Sequence, residues 1–313
     1  MGGPLNTVTV RLTPADLQTS SRRRRRELVV RLALFGAAAL SVVVSVGIVA
    51  SLSGHAVAFF GEVDKSALLS DGWFPRRGLY DVRTILAGTL VISVIAMLIA
   101  TPLGVASAIY LSEYAGSRAR RRVKPILEVL ASIPSVVLGF FALTWISPNV
   151  VQPLTGAPLS NMASAGIAVG ILITPLVASV SEDALHAVPL YLREAAYGLG
   201  ARKRTTSLRV VVPAAVSGIV AALLLAFSRA IGETMIVAIA AGGTGGSLFQ
   251  LNPFAPGQTM TGAMTALAIG SDQVRGEALT FESLFFVGML LFLLTLALNL
   301  VSDAFVRRVR RAY

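Results

Sequence analysis

The chain has 313 residues, 55% of them hydrophobic and only 14% charged, with a mean hydropathy of +0.75. A soluble domain of this length has no interior for so much apolar surface, so the composition points to a polytopic membrane protein. The absence of cysteine excludes a disulfide framework and thiolate metal sites, and the net charge of +11 must be placed relative to the membrane before it is taken as a nucleic-acid footprint.

Six stretches are long enough to cross the hydrocarbon core, which takes about 20 apolar residues. They run over 28–52, 84–111, 125–147, 163–181, 211–241 and 281–303, the fourth being the shortest. Backbone polar groups in lipid must be satisfied within a segment, so these are helices and not strands. Residues 1–27, with the run Arg22 to Arg26, read as a basic, disordered cytoplasmic tail. The first span is too long and too arginine-flanked for a cleaved signal peptide and lacks a small-residue cleavage site, so it is kept as a helix. Residues 53–83 read as an external loop in which Trp73 and Tyr80 mark the membrane interface. Further external loops are expected at 148–162 and 242–280, a polar loop at 182–212, and a basic tail at 307–313. The expected membrane domain is thus 28–306, with no soluble domain beside it.

Basic residues set the orientation. Twenty-one of the 27 lysines and arginines fall in the N-terminal segment to Arg31, the loop from Arg118 to Lys124, the 182–212 loop and the C-terminal tail; five fall on the other side, and Arg229 lies within a span. Both termini are therefore expected in the cytoplasm, in agreement with an even number of spans. Each basic run abuts a span, so anionic lipid headgroups are the expected contact and nucleic acid is not.

Few residues invite chemistry. His55 and His186 have no partner at metal-ligand spacing and read as solvated. The run Gly242-Gly243-Thr244-Gly245-Gly246-Ser247 lacks the Gly-Lys-Ser/Thr ending of a nucleotide loop and follows a helix instead of opening one, so it reads as a flexible exit, or as a gate or receptor contact. No nucleophile–base set or metal cluster is apparent, and no catalytic residue is nominated.

The fifth span holds Arg229 and Glu233, four residues apart and so expected on one helical face. Charge at mid-membrane costs several kcal/mol and normally faces a partner or a watery path. One reading is a structural ion pair. The other is that Arg229 presents its planar fork of donors to an oxyanion, with Glu233 orienting and balancing it. The same span carries small residues at every fourth position, Ala214, Gly218, Ala222, Ala226, Ala230, Thr234, Ala238 and Gly242, a ridge on which other helices can pack closely. Proline breaks with nearby hydroxyls occur at Thr101-Pro102, Ser132-Ile133-Pro134-Ser135 and Thr174-Pro175, where a hydroxyl can serve the freed carbonyl or a substrate. Ser132, Ser135 and Thr174 are candidate path-lining residues on this ground.

The 182–212 loop contains Glu194-Ala195-Ala196, three residues, Gly200, nine residues, then Val210-Val211-Val212-Pro213. This resembles the ATPase-docking loop of ABC-importer permeases, with Val210 and Val212 in place of the usual Ile and Leu. Ile133 to Gly139, Ser228 to Met235 and Asn252 to Thr261 resemble motifs of the C-type (PstC-type) permeases of high-affinity phosphate importers, over about residues 80–303. The resemblance implies an all-α integral membrane protein with six transmembrane helices in the type I importer permease fold, in the bacterial inner membrane. It implies that Glu194, Ala195, Ala196, Gly200 and Pro213 form the ATPase-coupling loop, with its helix around Gly198 to Arg204, and that Arg229 and Glu233 serve phosphate passage. It further implies a sister A-type permease, two copies of a cytoplasmic ATPase that bind the ATP and Mg, an external phosphate-binding protein, inorganic phosphate as cargo, and no cofactor in this chain. The alternatives left open are a permease for sulfate, molybdate or tungstate, a secondary transporter, and a membrane-embedded enzyme.

Overall fold

The computed structural model describes residues 21–243, 245–269 and 278–310. It is helical apart from one short hairpin, and falls into two units, one ending at Ser51 and one comprising Leu52–Tyr313. Helix α1 (Ser21–Glu62) starts within the basic run and continues ten residues past the expected span. Up to Ser51 its apolar side chains, such as Leu34, Phe35 and Val43, are exposed. The first 20 residues, read above as most of the tail, lie outside the described residues.

In the second unit, strands β1 (Trp73–Phe74) and β2 (Leu79–Tyr80) pair antiparallel, with Trp73 opposite Tyr80. Both aromatics are buried, and Tyr80 meets Phe59 of α1 edge-on at 5.1 Å between ring centroids. They are core residues of this end and not the interface anchors expected from their loop position, because the hairpin folds them inward onto Phe59 and Ile85.

Helix α2 (Val82–Ile109) is started by Asp81, whose carboxylate accepts from the Arg83 N–H and the Thr84 hydroxyl. It continues in a wider turn to Tyr114. Helix α3 (Ser117–Ala131) follows. It has no buried residue and is not apolar enough to cross a membrane. The third span therefore does not begin at 125: it begins at Ser135, after Pro134, with α4 (Ser135–Phe141), π-helical turns over 142–151 and α5 (Gln152–Thr155). The sequence run merges the two because Ile126, Leu127, Val129 and Leu130 of the amphipathic α3 are apolar like the span itself. The loop expected at 148–162 shrinks accordingly.

Helix α6 (Met162–His186) opens on Asn161, which accepts from the Ser164 N–H at 2.8 Å. Although read as the shortest span, it is 25 residues long and sits at the centre, packed along α2. Close approach explains two of its glycines: a Cβ on Gly166 would lie 2.7 Å from the Ile95 Cβ, and one on Gly170 3.0 Å from the Ala96 carbonyl oxygen. Next come α7 (Leu190–Gly198), α8 (Lys203–Thr206), α9 (Val212–Ala214) and α10 (Val216–Ile231), with a bend of 68° where Ala214 meets Val216. Gly218 of α10 packs on Ala184, and Ala222, Ala226 and Ala230 are buried, so this part of the small-residue ridge seats α10 against its neighbours. The ridge does not continue: the helix ends at Ile231 and resumes as α11 (Met235–Ala240).

The segment expected as a long external loop pairs Gly242 with Gly257 and Ser247 with Trp73, and then forms α12 (Met260–Ile269), with Met260 and Ala263 buried. Thr244 and residues 270–277 lie outside the described residues. Helix α13 (Ala278–Arg310) closes the chain and carries the last span into residues read as tail. Counting the bent pair once, six segments among the described residues are long and apolar enough to cross a membrane.

Candidate functional site

Two places collect the polar residues that the fold must account for. The first is the break between α10 and α11. Gly232 caps the end of α10, and the Glu233 carboxylate accepts from the Ile236 N–H at 3.5 Å, at the start of α11. Arg229 and Glu233 therefore do not share one helical face, and no ion pair joins them. Arg229 is exposed and has no hydrogen-bond or ion-pair partner among the described residues. The break changes its position from mid-helix to the last turn of α10, where a cation also complements the helix dipole.

Helix α4 runs beside this break. Gly139 packs on Ile236 and Ile239, and further along both segments Ser147 joins Asn161, whose N–H donates to Ala240. The two segments thus run in the same direction. Ser135, one turn before Gly139, is level with the break one turn before Ile236. Its hydroxyl has no partner among the described residues. Ser132 instead ends α3, its hydroxyl donating to the Val129 carbonyl at 2.7 Å. Thr174 donates to Gly170 within α6, also at 2.7 Å. Of the three hydroxyl candidates, Ser135 alone sits beside the break with its hydroxyl unengaged.

On the other side of the break lie residues that sequence reasoning did not single out. The Thr261 hydroxyl donates to the Glu233 carbonyl at 2.7 Å, and the Thr261 and Thr259 hydroxyls are 3.1 Å apart. Thr259 in turn accepts from the Gly262 N–H at the start of α12. Cavities flank α12: one of about 280 Å³ bordered by Gly232, Thr234 and Thr261, and one of about 260 Å³ bordered by Met235, Gln258 and Thr259. The signal for these residues was present in the Asn252–Thr261 motif but came without a role. Physically, an unengaged guanidinium in the last turn before a helix break offers donors to an oxyanion.

The second place is the end of α6. Glu182 is 1% exposed and is held by Arg120 and by Lys124 (2.9 Å), both from α3; Lys124 also holds Asp183 at 2.7 Å. The hydrogen bond to Asp183, then that to Glu182, raise the Lys124 pKa above its ordinary value of 10.5. Here α3 is clamped to α6 by charge. The sequence places Glu182 next to a basic loop without showing that α3 reaches it. His186 is exposed, 3.2 Å from the Arg120 guanidinium through Nδ1. His55 lies not in a loop but within α1, where it stacks on Phe285 at 4.5 Å.

Beyond α6, three of the five residues expected to couple to an ATPase, Glu194, Ala195 and Ala196, lie on α7. Arg193 donates to the Val188 carbonyl (2.6 Å), the Leu185 carbonyl (2.9 Å) and the Glu113 carboxylate (2.9 Å), fastening α7 to the ends of α6 and α2. Glu194 and Ala195 are exposed, and Ala196 is buried. Gly200 turns the chain with φ +79°, a left-handed conformation natural to glycine. The stretch expected as a helix around Gly198 to Arg204 is instead the end of α7, a turn at Gly200 and the start of α8. Leu199 is 90% exposed beside exposed Tyr191 and Tyr197, an apolar knob on the loop. Pro213 is exposed in α9, before the bend into α10.

A multi-span helical bundle with a broken helix at its polar residues, and a two-helix loop at one end, is the architecture expected of a transport permease. Residues 100–311 match the family model described as "Binding-protein-dependent transport system inner membrane component". The chain belongs to that family, and is a transport subunit and not an enzyme. It is 33% identical to the phosphate transport system permease protein PstC of Mesorhizobium japonicum, over 87% of this chain and 88% of that protein. It is 34% identical to a probable ABC transporter permease protein, YqgH, of Bacillus subtilis, over 59% of this chain and 60% of that one. Among solved structures, a chain of a bacterial alginate ABC transporter, crystallised with an alginate-bound periplasmic protein, superposes with a TM-score of 0.62 at 16% identity, covering 90% of this chain and 97% of that one. That likeness shows the fold alone.

Proposed function

We propose that this chain is the C-type permease subunit of an ATP-driven phosphate importer, forming with a sister A-type permease the path for inorganic phosphate across the bacterial inner membrane. The PstC relatives, at 30–33% identity over most of the chain, support the substrate. The observation that carries the site is Arg229, exposed and unengaged at the α10–α11 break. In this reading Arg229 meets the oxyanion, Ser135 lines the same level of the path, and Glu233 fixes the break by capping α11 instead of pairing with Arg229. Ser132 and Thr174, whose hydroxyls serve their own helices, lie near Pro134, after which the span begins, and beside Pro175, which α6 carries without a break.

Loop 182–212 faces the cytoplasm with both termini, following the distribution of basic residues. The α7 helix, with Glu194, Ala195 and Ala196 and the exposed Leu199 that follows it, seats in a cytoplasmic ATPase, of which two copies hold the ATP and Mg; Gly200 sets the turn after α7, and Pro213 lies further on, before the bend into α10. An external binding protein delivers phosphate. No cofactor binds this chain, and it contacts lipid and not nucleic acid. Uptake of radiolabelled phosphate and sulfate by cells lacking their own importers, with this chain and its partner subunits co-expressed, tests the reading. ATP-dependent uptake of phosphate is expected. Uptake of sulfate in its place would give the cargo to the alternative oxyanion.

A further inference from the structure

Each polar group of Glu233, in the break between α10 and α11, ties a different helix. Its N–H donates to the Ala230 carbonyl of α10 at 3.2 Å, and its carboxylate accepts from the Ile236 N–H of α11 at 3.5 Å. Its carbonyl accepts from the Thr261 hydroxyl of α12 at 2.7 Å. In a continuous helix that carbonyl would accept from the N–H of Val237. Here no backbone N–H among the described residues reaches it, and a carbonyl freed within a membrane span needs another partner. The Thr261 side chain supplies it, and is itself anchored. Its proton goes to the Glu233 carbonyl, so in the 3.1 Å contact with Thr259 it accepts and Thr259 donates. The Thr259 oxygen also accepts from the Gly262 N–H at 2.9 Å. The N–H of Met260 donates to the Thr89 hydroxyl of α2 at 3.0 Å, and Thr89 donates to the Ile85 carbonyl at 2.7 Å. Thr89, Thr259 and Thr261 are 2%, 3% and 4% exposed. These buried threonines tie the break, through the first turn of α12, to α2, which packs along the central α6.

We propose that Thr261 is a positioning residue of the substrate path, whose hydroxyl latches the break open and so keeps Arg229 free for the oxyanion. The inference rests on the phosphate-importer reading and names a residue that supports Arg229. Closing the break into a continuous helix would put Arg229 and Glu233 on one face, four residues apart. Opposite charges at that spacing attract strongly away from water, and the pair would occupy the guanidinium that the path needs. The break keeps the two apart by turning the Glu233 carboxylate to the start of α11 and its carbonyl to α12. Thr261 acts on the Glu233 backbone, and on Arg229 only through the chain. A polar site is only as well placed as the groups that support it, and a buried hydroxyl fixed by its own hydrogen bonds is such a support.

The test uses the importer assembled with its partner subunits, reconstituted in vesicles and supplied with binding protein and ATP, comparing wild type, Thr261→Val and Thr261→Ser. Valine keeps the branched shape and removes the hydroxyl; serine keeps the hydroxyl and loses the methyl. A hydrogen bond between membrane helices corresponds to roughly 3- to 20-fold in an equilibrium. Phosphate moved per ATP hydrolysed should fall by about that factor in Thr261→Val, with assembly and basal ATPase activity retained. Thr261→Ser should stay near wild type. A residue that only fills space would give the reverse order, with valine tolerated and serine impaired. That order, wild-type transport by Thr261→Val, or equal losses in both variants would overturn the latch while leaving the importer in place. A loss in Thr261→Val accounted for by a smaller amount of assembled complex would make Thr261 structural and also overturn it. A wild-type complex that moves sulfate and no phosphate would instead remove the functional reading itself.

Discussion

Replacing Arg193 by methionine keeps the apolar stem and removes the guanidinium that joins α7 to α6 and α2. Three hydrogen bonds go: those to Val188, Leu185 and Glu113. The side chains of Arg193 and Glu113 are 14% and 4% exposed, so water does not readily replace the lost partner. Glu113 would keep only the neighbouring Ser112 hydroxyl, at 3.2 Å. Breaking a buried pair from one side costs about 3–5 kcal/mol, and the residual exposure of Arg193 favours the lower end, about 3 kcal/mol. In the double variant Arg193→Met/Glu113→Gln no charge is stranded, and what remains is the loss of two carbonyl contacts at about 1 kcal/mol each. The double variant should therefore be more stable than Arg193→Met alone, and the two changes should be non-additive. Thermal unfolding of the assembled complex, followed by tryptophan fluorescence, reads the order of midpoints. Phosphate-dependent uptake measured beside ATP hydrolysis reads the coupling, which should weaken in Arg193→Met because α7 loses its tie. Strict additivity, or a midpoint for Arg193→Met equal to wild type, would refute the view that this pair fastens the loop.

Lys124 gives a pH dependence. Its pKa is raised in the folded protein by Asp183 and Glu182, so its stabilising contribution is whole below the unfolded value and is lost as pH rises through the folded one. Lys124→Met should lower the thermal midpoint at pH 7, and the gap to wild type should narrow above pH 10.5; an unchanging gap would contradict the clamp. Gly166→Val places a β-carbon 2.7 Å from the Ile95 Cβ, an overpacking that should cost about 1–3 kcal/mol or more and lower the yield of folded protein; normal yield and stability would show that α2 and α6 have room to part. Glu194→Lys and Gly200→Asp should leave membrane insertion intact while uncoupling ATP hydrolysis from uptake; normal uptake in both would remove α7 from the ATPase contact.

Long apolar segments were legible because the membrane demands them, and the number of spans follows from length and composition alone. Their ends and interruptions were less so. The break at Gly232–Thr234 interrupts no apolar pattern, since Ile231 and Ile236 flank it, and only the Gly-Glu-Thr sequence, a helix cap followed by a capping carboxylate, marks it. Pro134 is visible but reads as a kink within a span, because the amphipathic α3 ahead of it is also apolar at its C-terminal end. Trp73 and Tyr80 misled since aromatic residues in a loop look alike whether they touch lipid or fold inward onto Phe59. Arg229 stood out as a lone charge in a span. The Glu182 clamp did not, because it requires knowing that α3 folds back on α6.

The most direct test of the central claim compares wild type with Arg229→Gln in phosphate uptake, at equal membrane levels of an assembled complex, in cells lacking their own importer. The account predicts ATP-dependent uptake with wild type and its loss in Arg229→Gln. Equal uptake by the two would contradict a path that runs past Arg229, and disassembly of the variant complex would show that residue to be structural.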